Sequence, residues 1–386
     1  MSAEKIKRIF GYLFEGLVYF FLYPVARLIY KNREIYLFAE RGVDARDNAY
    51  HLYRYFKEKH SEKESYFVIT KDSPDRERLV SLGNVINHKS LKHRLLFIAA
   101  KYKISTHIMG FSPDINFYTR FRTRLHIYGK LIFLQHGITK DDLPSLYCER
   151  VGLSMFVCGA KPEYDFINET FHYKSDEVKY TGFARFDALS DFETKNQILI
   201  MPTWRIPLKF MTAQEVENSE YVQRWNEVLN NDKLCEFLEK SGTEIIFYPH
   251  FEMQKYLYLF NSKSDKIKIA SMKDYDVQTL LKESKLLVTD FSSVYFDFAY
   301  MEKPVIYFQF DRDEFFKSHY AKGYFDYFTM GFGPVVLKSD EVVKEIVKSA
   351  ENGYKIQGAY KSRLDGFFPI RDKKNCQRIF EEIQKL

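Results

Sequence analysis

The 386-residue chain is 46 % apolar, which gives room for two or three cored domains and excludes a disordered protein. Of the formal net charge of +6, a share of +4 falls in residues 1–33; the remainder is nearly balanced, so no nucleic-acid partner is expected. Cys148, Cys158, Cys235 and Cys376 show neither metal-ligand spacing nor a dense disulfide pattern, which fits a reducing, cytosolic compartment.

The N-terminal stretch RIFGYLFEGLVYFFLYPVARLIY lacks a small-x-small cleavage site after its apolar run. Only 11 residues, Gly16 to Ala26, lie between charges, and Pro24 interrupts them, whereas a spanning helix needs about 20 apolar residues. At helical spacing Arg8, Tyr12, Glu15, Tyr19, Tyr23, Arg27 and Tyr30 share one face, opposite Phe10, Phe14, Leu17, Phe21 and Leu28. Residues 1–33 are therefore expected to form an amphipathic helix on an anionic membrane surface. A spanning helix and a helix docked on the protein's own core are the alternatives.

From residue 34 onward, short apolar β-rich runs alternate with helical pattern. The expected strands are EIYLFAE, SYFVIT, YKISTHIM, KLIFLQ, MFVCG and VKYTGF, then QILIMP, TEIIFYP, KIKIAS, KLLVT and PVIYFQF. Runs apolar on both faces indicate parallel sheets covered by helices. The polar segment 184–196 reads as the crossing between two α/β domains, 34–186 and 187–386. A ligand cleft is expected between them.

Ligands in such folds bind beyond the carboxyl ends of strands. Four strand ends carry reactive or polar residues: Gln135, His136 and Gly137; Thr203, Trp204 and Arg205; His250; and Asp290, Ser292 and Ser293. A neutral imidazole at His136 could act as a general base, with Gly137 allowing a tight turn or close ligand approach. The plain alternative for His136 and His250 is a histidine satisfied by loop carbonyls. Arg205 offers a planar fork for phosphate oxygens, or a surface ion pair. Ser292 and Ser293 could cap the helix starting near Val294, or with its free amides hold an anion. Asp297, on the first turn, is expected to position another group. Gly-x-x-x-x-Gly-Lys-Ser/Thr, Gly-x-Gly-x-x-Gly, Gly-x-Ser-x-Gly and His-Glu-x-x-His motifs are absent, as is an Asp-x-Asp pair for a metal–nucleotide complex.

Taken together, VTDFSSVYFDFAYMEKPVIYFQFD, QHGITK, MPTWR and YPH, in that family's order and spacing, resemble the CDP-glycerol glycerophosphotransferase family of teichoic acid and capsule biosynthesis. The likeness runs from about residue 130 to 378 and includes GYFDYFTMGFGPVV. Gln135 stands where the family usually has Trp, and Phe251 follows His250 where many members have Pro. The C-terminal FPIRDKKNCQRI keeps Arg371 and Arg378 but lacks the usual glycine and alanine between them.

The resemblance implies a glycosyltransferase-B-like pair of Rossmann-like domains, an N-terminal acceptor domain and a C-terminal CDP-donor domain. It implies peripheral attachment at the cytoplasmic face of the membrane. The implied reaction moves a polyol phosphate, glycerol phosphate foremost, from a CDP-linked donor to a hydroxyl of a lipid-linked acceptor, releasing CMP. His136 would be the base, with His250 beside it in catalysis. Gly137, Thr203, Arg205, Thr289, Asp290, Ser292, Ser293, Asp297 and Arg371 would line the substrate site. No cofactor is required, and a divalent metal is possible but not indicated. A nucleotide-sugar glycosyltransferase of the same architecture is the alternative enzyme; a membrane-bound polyanion-binding protein with a degenerate site is the non-enzymatic one.

Overall fold

A computed structural model of the protein describes residues 3–125, 127, 129–318 and 322–386. Two compact units divide the chain: Met1–Ile138 with Pro144–Ala188 and Asp372–Leu386, and Thr139–Leu143 with Leu189–Arg371.

The first unit is built on seven strands: β1 (Ile35–Ala39), β2 (Glu64–Ile69), β3 (Val85–Asn87), β4 (Tyr102–Ser105), β5 (Lys130–Phe133), β6 (Met155–Cys158) and β7 (Val178–Tyr180). Their order is β3-β2-β1-β4-β5-β6-β7, and neighbours pair in parallel. Every residue of β1, β4 and β6 is buried, as expected of a parallel sheet covered by helices on both faces. Helices start where the sequence supplies caps. Asp47 accepts from Asn48 N ahead of the helix Asn48–Lys59, and Ser90 accepts from His93 N ahead of Leu91–Ala99.

The second unit holds β8 (Gln197–Ile200), β9 (Glu244–Phe247), β10 (Ile267–Ile269), β11 (Leu286–Thr289), β12 (Val305–Phe308) and β13 (Val335–Val336). These six are parallel too, ordered β10-β9-β8-β11-β12-β13. Trp225, Phe247, Phe308, Val288 and Ile346 belong to one of its buried clusters. In each sheet the strand order reverses once, between β1 and β4 and between β8 and β11, the place where such folds leave a crevice at the carboxyl edge.

The C-terminal helix Asn375–Gln384 corrects the domain boundary read from sequence, which left it in the second half. Asp187 accepts from the backbone N–H groups of Asn375 (2.9 Å) and Cys376 (2.8 Å) and from the Asn375 amide (2.7 Å). Arg378 Nε donates to the Thr181 carbonyl at 2.8 Å. These bonds tie residues 372–386 to the first unit.

The N-terminal helix runs unbroken from Ala3 to Ile29, through Pro24, so the proline does not interrupt it as the sequence suggested. Its tyrosine face is the docked one. Tyr19, 3 % exposed, stacks on Phe117 and meets the edge of Phe97, and Tyr12 packs on Phe117 and Phe121. Glu15 pairs with Arg94 at 2.5 Å. The opposite face is open: Phe10, Leu13, Phe14, Leu17, Phe20, Phe21 and Leu28 are between 59 % and 79 % exposed. The stretch Ile9–Ile29 is also long and apolar enough to cross a membrane by length and composition.

Candidate functional site

In the first unit the carboxyl ends of β1, β4 and β5 deliver a polar cluster. β5 runs out through Leu134 into Gln135, which takes the left-handed conformation (φ 56°). The tight turn is therefore made at Gln135, one residue before the histidine, and Gly137 stays outside the positive-φ region. Gln135 is buried, and its amide nitrogen donates to the Val157 carbonyl (2.6 Å) and to Glu163 Oε1 (3.0 Å). These bonds offset the cost of a left-handed non-glycine residue. Asn48 clamps the turn from the other side: its Nδ2 donates to the carbonyls of Leu134 (3.2 Å) and Gln135 (2.8 Å), and its Oδ1 accepts from Arg185 N (3.0 Å).

The turn presents His136 with its ring accessible to solvent. The Thr106 backbone, at the end of β4, acts in favour of the protonated ring. Protein packed around the imidazole lowers its pKa below the ordinary histidine value; Asp47 opposes this and Arg185 reinforces it. Asp47 and Arg185 are themselves paired at 2.9 Å. The arrangement is that of a neutral base ready above mildly acidic pH.

Sequence reasoning passed over a neighbour. His107, just beyond β4, stacks on His136 with centroids 4.4 Å apart and planes 13° apart. Its signal was present in YKISTHIM, where a histidine follows a strand as His136 does. Glu40, beyond β1, is buried and accepts from the backbone N–H groups of Arg46 (3.0 Å), Asp47 (2.7 Å) and Tyr50 (3.3 Å), anchoring the loop that brings Asp47 to the cluster.

In the second unit the ends of β8 and β11 are organised around Asp290, which is fully buried. It accepts from Thr203 N (2.8 Å), Phe291 N (2.6 Å) and Arg205 Nη1 (2.8 Å). Arg205 also makes a two-pronged contact with Asp311 (2.6 and 2.9 Å) and donates to the carbonyls of Thr203 and Trp204. Tyr221, Phe291 and Phe315 surround its guanidinium. Burial works against this cation, but Asp290 and Asp311 hold its pKa above the ordinary arginine value.

The phosphate fork expected of Arg205 is thus occupied by two carboxylates. Asp290 and Thr289 are likewise turned inward: the Thr289 hydroxyl donates to the Met201 carbonyl at 2.7 Å, joining β11 to the end of β8. Asp297 is buried in the helix Val294–Tyr300. Arg371 reaches Asp365 (2.6 Å) and Glu302 (3.0 Å), so its partners are not the strand-end residues.

Three expected positions remain on the accessible side. Thr203 and Ser292 are half-buried and Ser293 is exposed. Ser293 occupies the N-cap position in a helical conformation without a side-chain capping bond, so the capping role is not taken. His250, at the end of β9, accepts from Glu252 N through Nδ1 (3.3 Å) and lies nearly parallel to Trp204, with centroids 6.1 Å apart. An accepting Nδ1 puts the proton of the neutral ring on Nε2. Burial lowers its pKa, opposed by Glu252, which favours the neutral ring with Nε2–H as its donor. Among the described residues no three His, Cys, Asp or Glu side chains gather as a metal-binding group.

Comparison with known proteins bears on the family and the fold. The chain is 35 % identical over 373 residues to the minor teichoic acid biosynthesis protein GgaB of Bacillus subtilis, covering 93 % of this chain and 40 % of GgaB. It is 26 % identical over 268 residues to the teichoic acid poly(ribitol-phosphate) polymerase of Bacillus spizizenii, 66 % of this chain and 37 % of that one. It therefore spans about 40 % of the length of these relatives. In fold it matches the wall teichoic acid polymerase TagF with a TM-score of 0.70 at 16 % identity, over 100 % of this chain and 98 % of that one. The sequence pattern of CDP-glycerol:poly(glycerophosphate) glycerophosphotransferases matches residues 20–385, and the chain belongs to that family.

Proposed function

We propose that this chain transfers a polyol phosphate, glycerol phosphate foremost, from a CDP-linked donor to a hydroxyl of a lipid-linked teichoic acid or capsule acceptor, releasing CMP. The observation that carries the reading is His136: an accessible imidazole at a strand end, stacked on His107, with its pKa held below the ordinary value by burial. Family membership supplies the donor class, and a TagF variant soaked with CDPG supports it.

In this reading a ring nitrogen of His136 takes the proton of the acceptor hydroxyl. The oxygen attacks the phosphorus that bears the polyol, the bond to the bridging oxygen breaks, and CMP leaves. The second unit holds the donor. His250 Nε2–H, the Ser292 and Ser293 hydroxyls and Thr203 are its polar contacts, and Arg205 with Asp290 keeps the strand ends rigid beneath them. The proposal needs no metal ion, so a chelator should leave CMP release unchanged.

The open Phe/Leu face of the N-terminal helix suits insertion into the interface of an anionic cytoplasmic leaflet. Glu15 and Tyr19 on the docked face favour a helix lying on the membrane over one crossing it. The double variant Phe14→Asp, Leu17→Asp should lose binding to phosphatidylglycerol vesicles while remaining folded.

The deciding assay is release of CMP from CDP-glycerol, CDP-ribitol and nucleotide sugars, with and without acceptor. His136→Ala should keep donor binding and lose about 10²–10⁴ in turnover. Near-normal CMP release by that variant rejects the base. Release of a nucleoside diphosphate from a nucleotide sugar, with CDP-glycerol inert, replaces the reading by a glycosyltransferase.

A further inference from the structure

We infer that His107 is a positioning residue for His136, the two imidazoles working as a stacked pair of which only His136 meets the acceptor. This rests on the transferase reading above and adds to it a residue with no counterpart among the expected site residues.

The backbone sets the pair. β4 and β5 are adjacent and parallel, with Ser105 opposite Phe133, so the residues beyond both strands emerge side by side. The Ser105 hydroxyl lies 2.7 Å from the His107 carbonyl and accepts from His107 N at 3.2 Å. Gly110 N donates to the same carbonyl at 2.9 Å. A Cβ at Gly110 would fall 1.8 Å from the Glu40 carbonyl, so the turn that carries His107 closes against β1 with no room to shift. This is rigid backbone beneath a ring that is only partly buried.

Thr106 then orients the His107 ring. It is fully buried, and its hydroxyl lies 2.8 Å from His107 Nδ1. With centroids 4.4 Å apart and planes 13° apart, His107 covers one face of His136 and blocks its rotation about the terminal side-chain torsion, which is otherwise broad for histidine. A base that must meet a hydroxyl along one direction gains from a fixed ring plane.

The pair also suits the charge that forms. Once His136 has taken the acceptor proton, a neutral His107 places no second positive charge against it. His107 stays neutral because burial, with His136 and Arg41 nearby, holds its pKa down to about 3, against the opposing Asp44. The other charged groups acting on His136 are Asp47, Arg185 and Arg41. The proton thus has one destination in the pair.

The test compares His107→Ala and His107→Phe in the full-length chain, by CMP release from CDP-glycerol and by NMR titration of the His136 ring. His107→Ala should lower kcat by about 10- to 10²-fold with the donor KM nearly unchanged, as expected for a misplaced catalytic group. His107→Phe, which restores a flat ring, should recover most of that loss. In His107→Ala the His136 titration should move up toward about 6.5 as water reaches its uncovered face. Wild-type kcat in His107→Ala, or a loss that phenylalanine leaves uncorrected with donor KM rising in step, overturns the assignment. If the unaltered protein releases no CMP, the transferase reading fails; the NMR titration still judges the stack, and an unmoved His136 pKa in His107→Ala would sink it.

Discussion

Arg205 and Asp290 form an ion pair at 2.8 Å with side chains 7 % and 0 % exposed, linking the strand ends of β8 and β11 at the point where that sheet reverses its order. A buried pair of this kind is expensive to break from one side, because the remaining charge loses its partner while staying out of water. Arg205→Ala should cost about 3–5 kcal/mol in urea unfolding. Arg205→Lys should recover only part of that, since an ammonium cannot meet Asp311 and Asp290 with the same planar fork. A variant with wild-type stability that has lost only donor affinity would return Arg205 to the role of a phosphate ligand.

The history of Arg205 shows where sequence reading ran out. An arginine after a buried strand looks the same whether a phosphate or a carboxylate completes it. Here the partners, Asp290 and Asp311, lie 85 and 106 positions further along the chain. The parallel sheets were legible because runs such as IYLFA and LLVT are apolar on both faces and end in polar residues. β3 and β13 were not, each resting on two adjacent valine or isoleucine residues, Val85–Ile86 and Val335–Val336, with no alternation to mark a strand. His107 was hidden by success: it was read as the continuation of a strand that the structure ends at Ser105. The docked tyrosine face of the N-terminal helix was legible as a face, but periodicity does not say which side meets protein.

His250 leads to a prediction about pH. Its Nδ1 already accepts a backbone N–H, and burial disfavours its cation, so in the proposed donor site its contact would be a neutral Nε2–H. The pyrophosphate of a CDP-linked donor does not titrate near neutrality. Donor affinity, measured by calorimetry, should therefore stay flat between about pH 6.5 and 8, and His250→Ala should weaken it by the worth of a hydrogen bond to a charged group, about 1.5–3 kcal/mol. Affinity that falls tenfold for each unit of rising pH would mean that the imidazolium is the binding form.

Asn48 lies far from His136 in sequence yet holds the turn that carries it. Replacing it by leucine leaves the carbonyls of Leu134 and Gln135 and the N–H of Arg185 without their buried partner. The expected loss is at least about 3 kcal/mol of stability, since each of the three groups costs about 1–3 kcal/mol when stranded. Because Gln135 is held in a left-handed conformation by the same network, kcat for CMP release should fall more than donor KM rises. Unchanged unfolding with unchanged kcat would show that the Gln135–Glu163 bonds hold the turn alone.

Acid sensitivity should come from buried histidines. His93, 1 % exposed, has its pKa lowered to about 3 by burial, with His88 and Arg94 adding to the effect. In the unfolded chain the same ring titrates near about 6.5. Between these values the unfolded state binds the proton that the folded state refuses, so stability falls as pH drops below about 6.5, by at most about 1.4 kcal/mol per pH unit for one such ring. At pH 5 that amounts to about 2 kcal/mol for His93, and His107 acts in the same direction. His93→Leu removes the titrating group but strands Lys89 N, which now donates to the ring at 3.1 Å. It should therefore be less stable at pH 7 yet lose less on going to pH 5. Urea unfolding of both proteins at the two pH values separates these effects, and an equal acid loss in the variant would show that His93 is already protonated in the folded state.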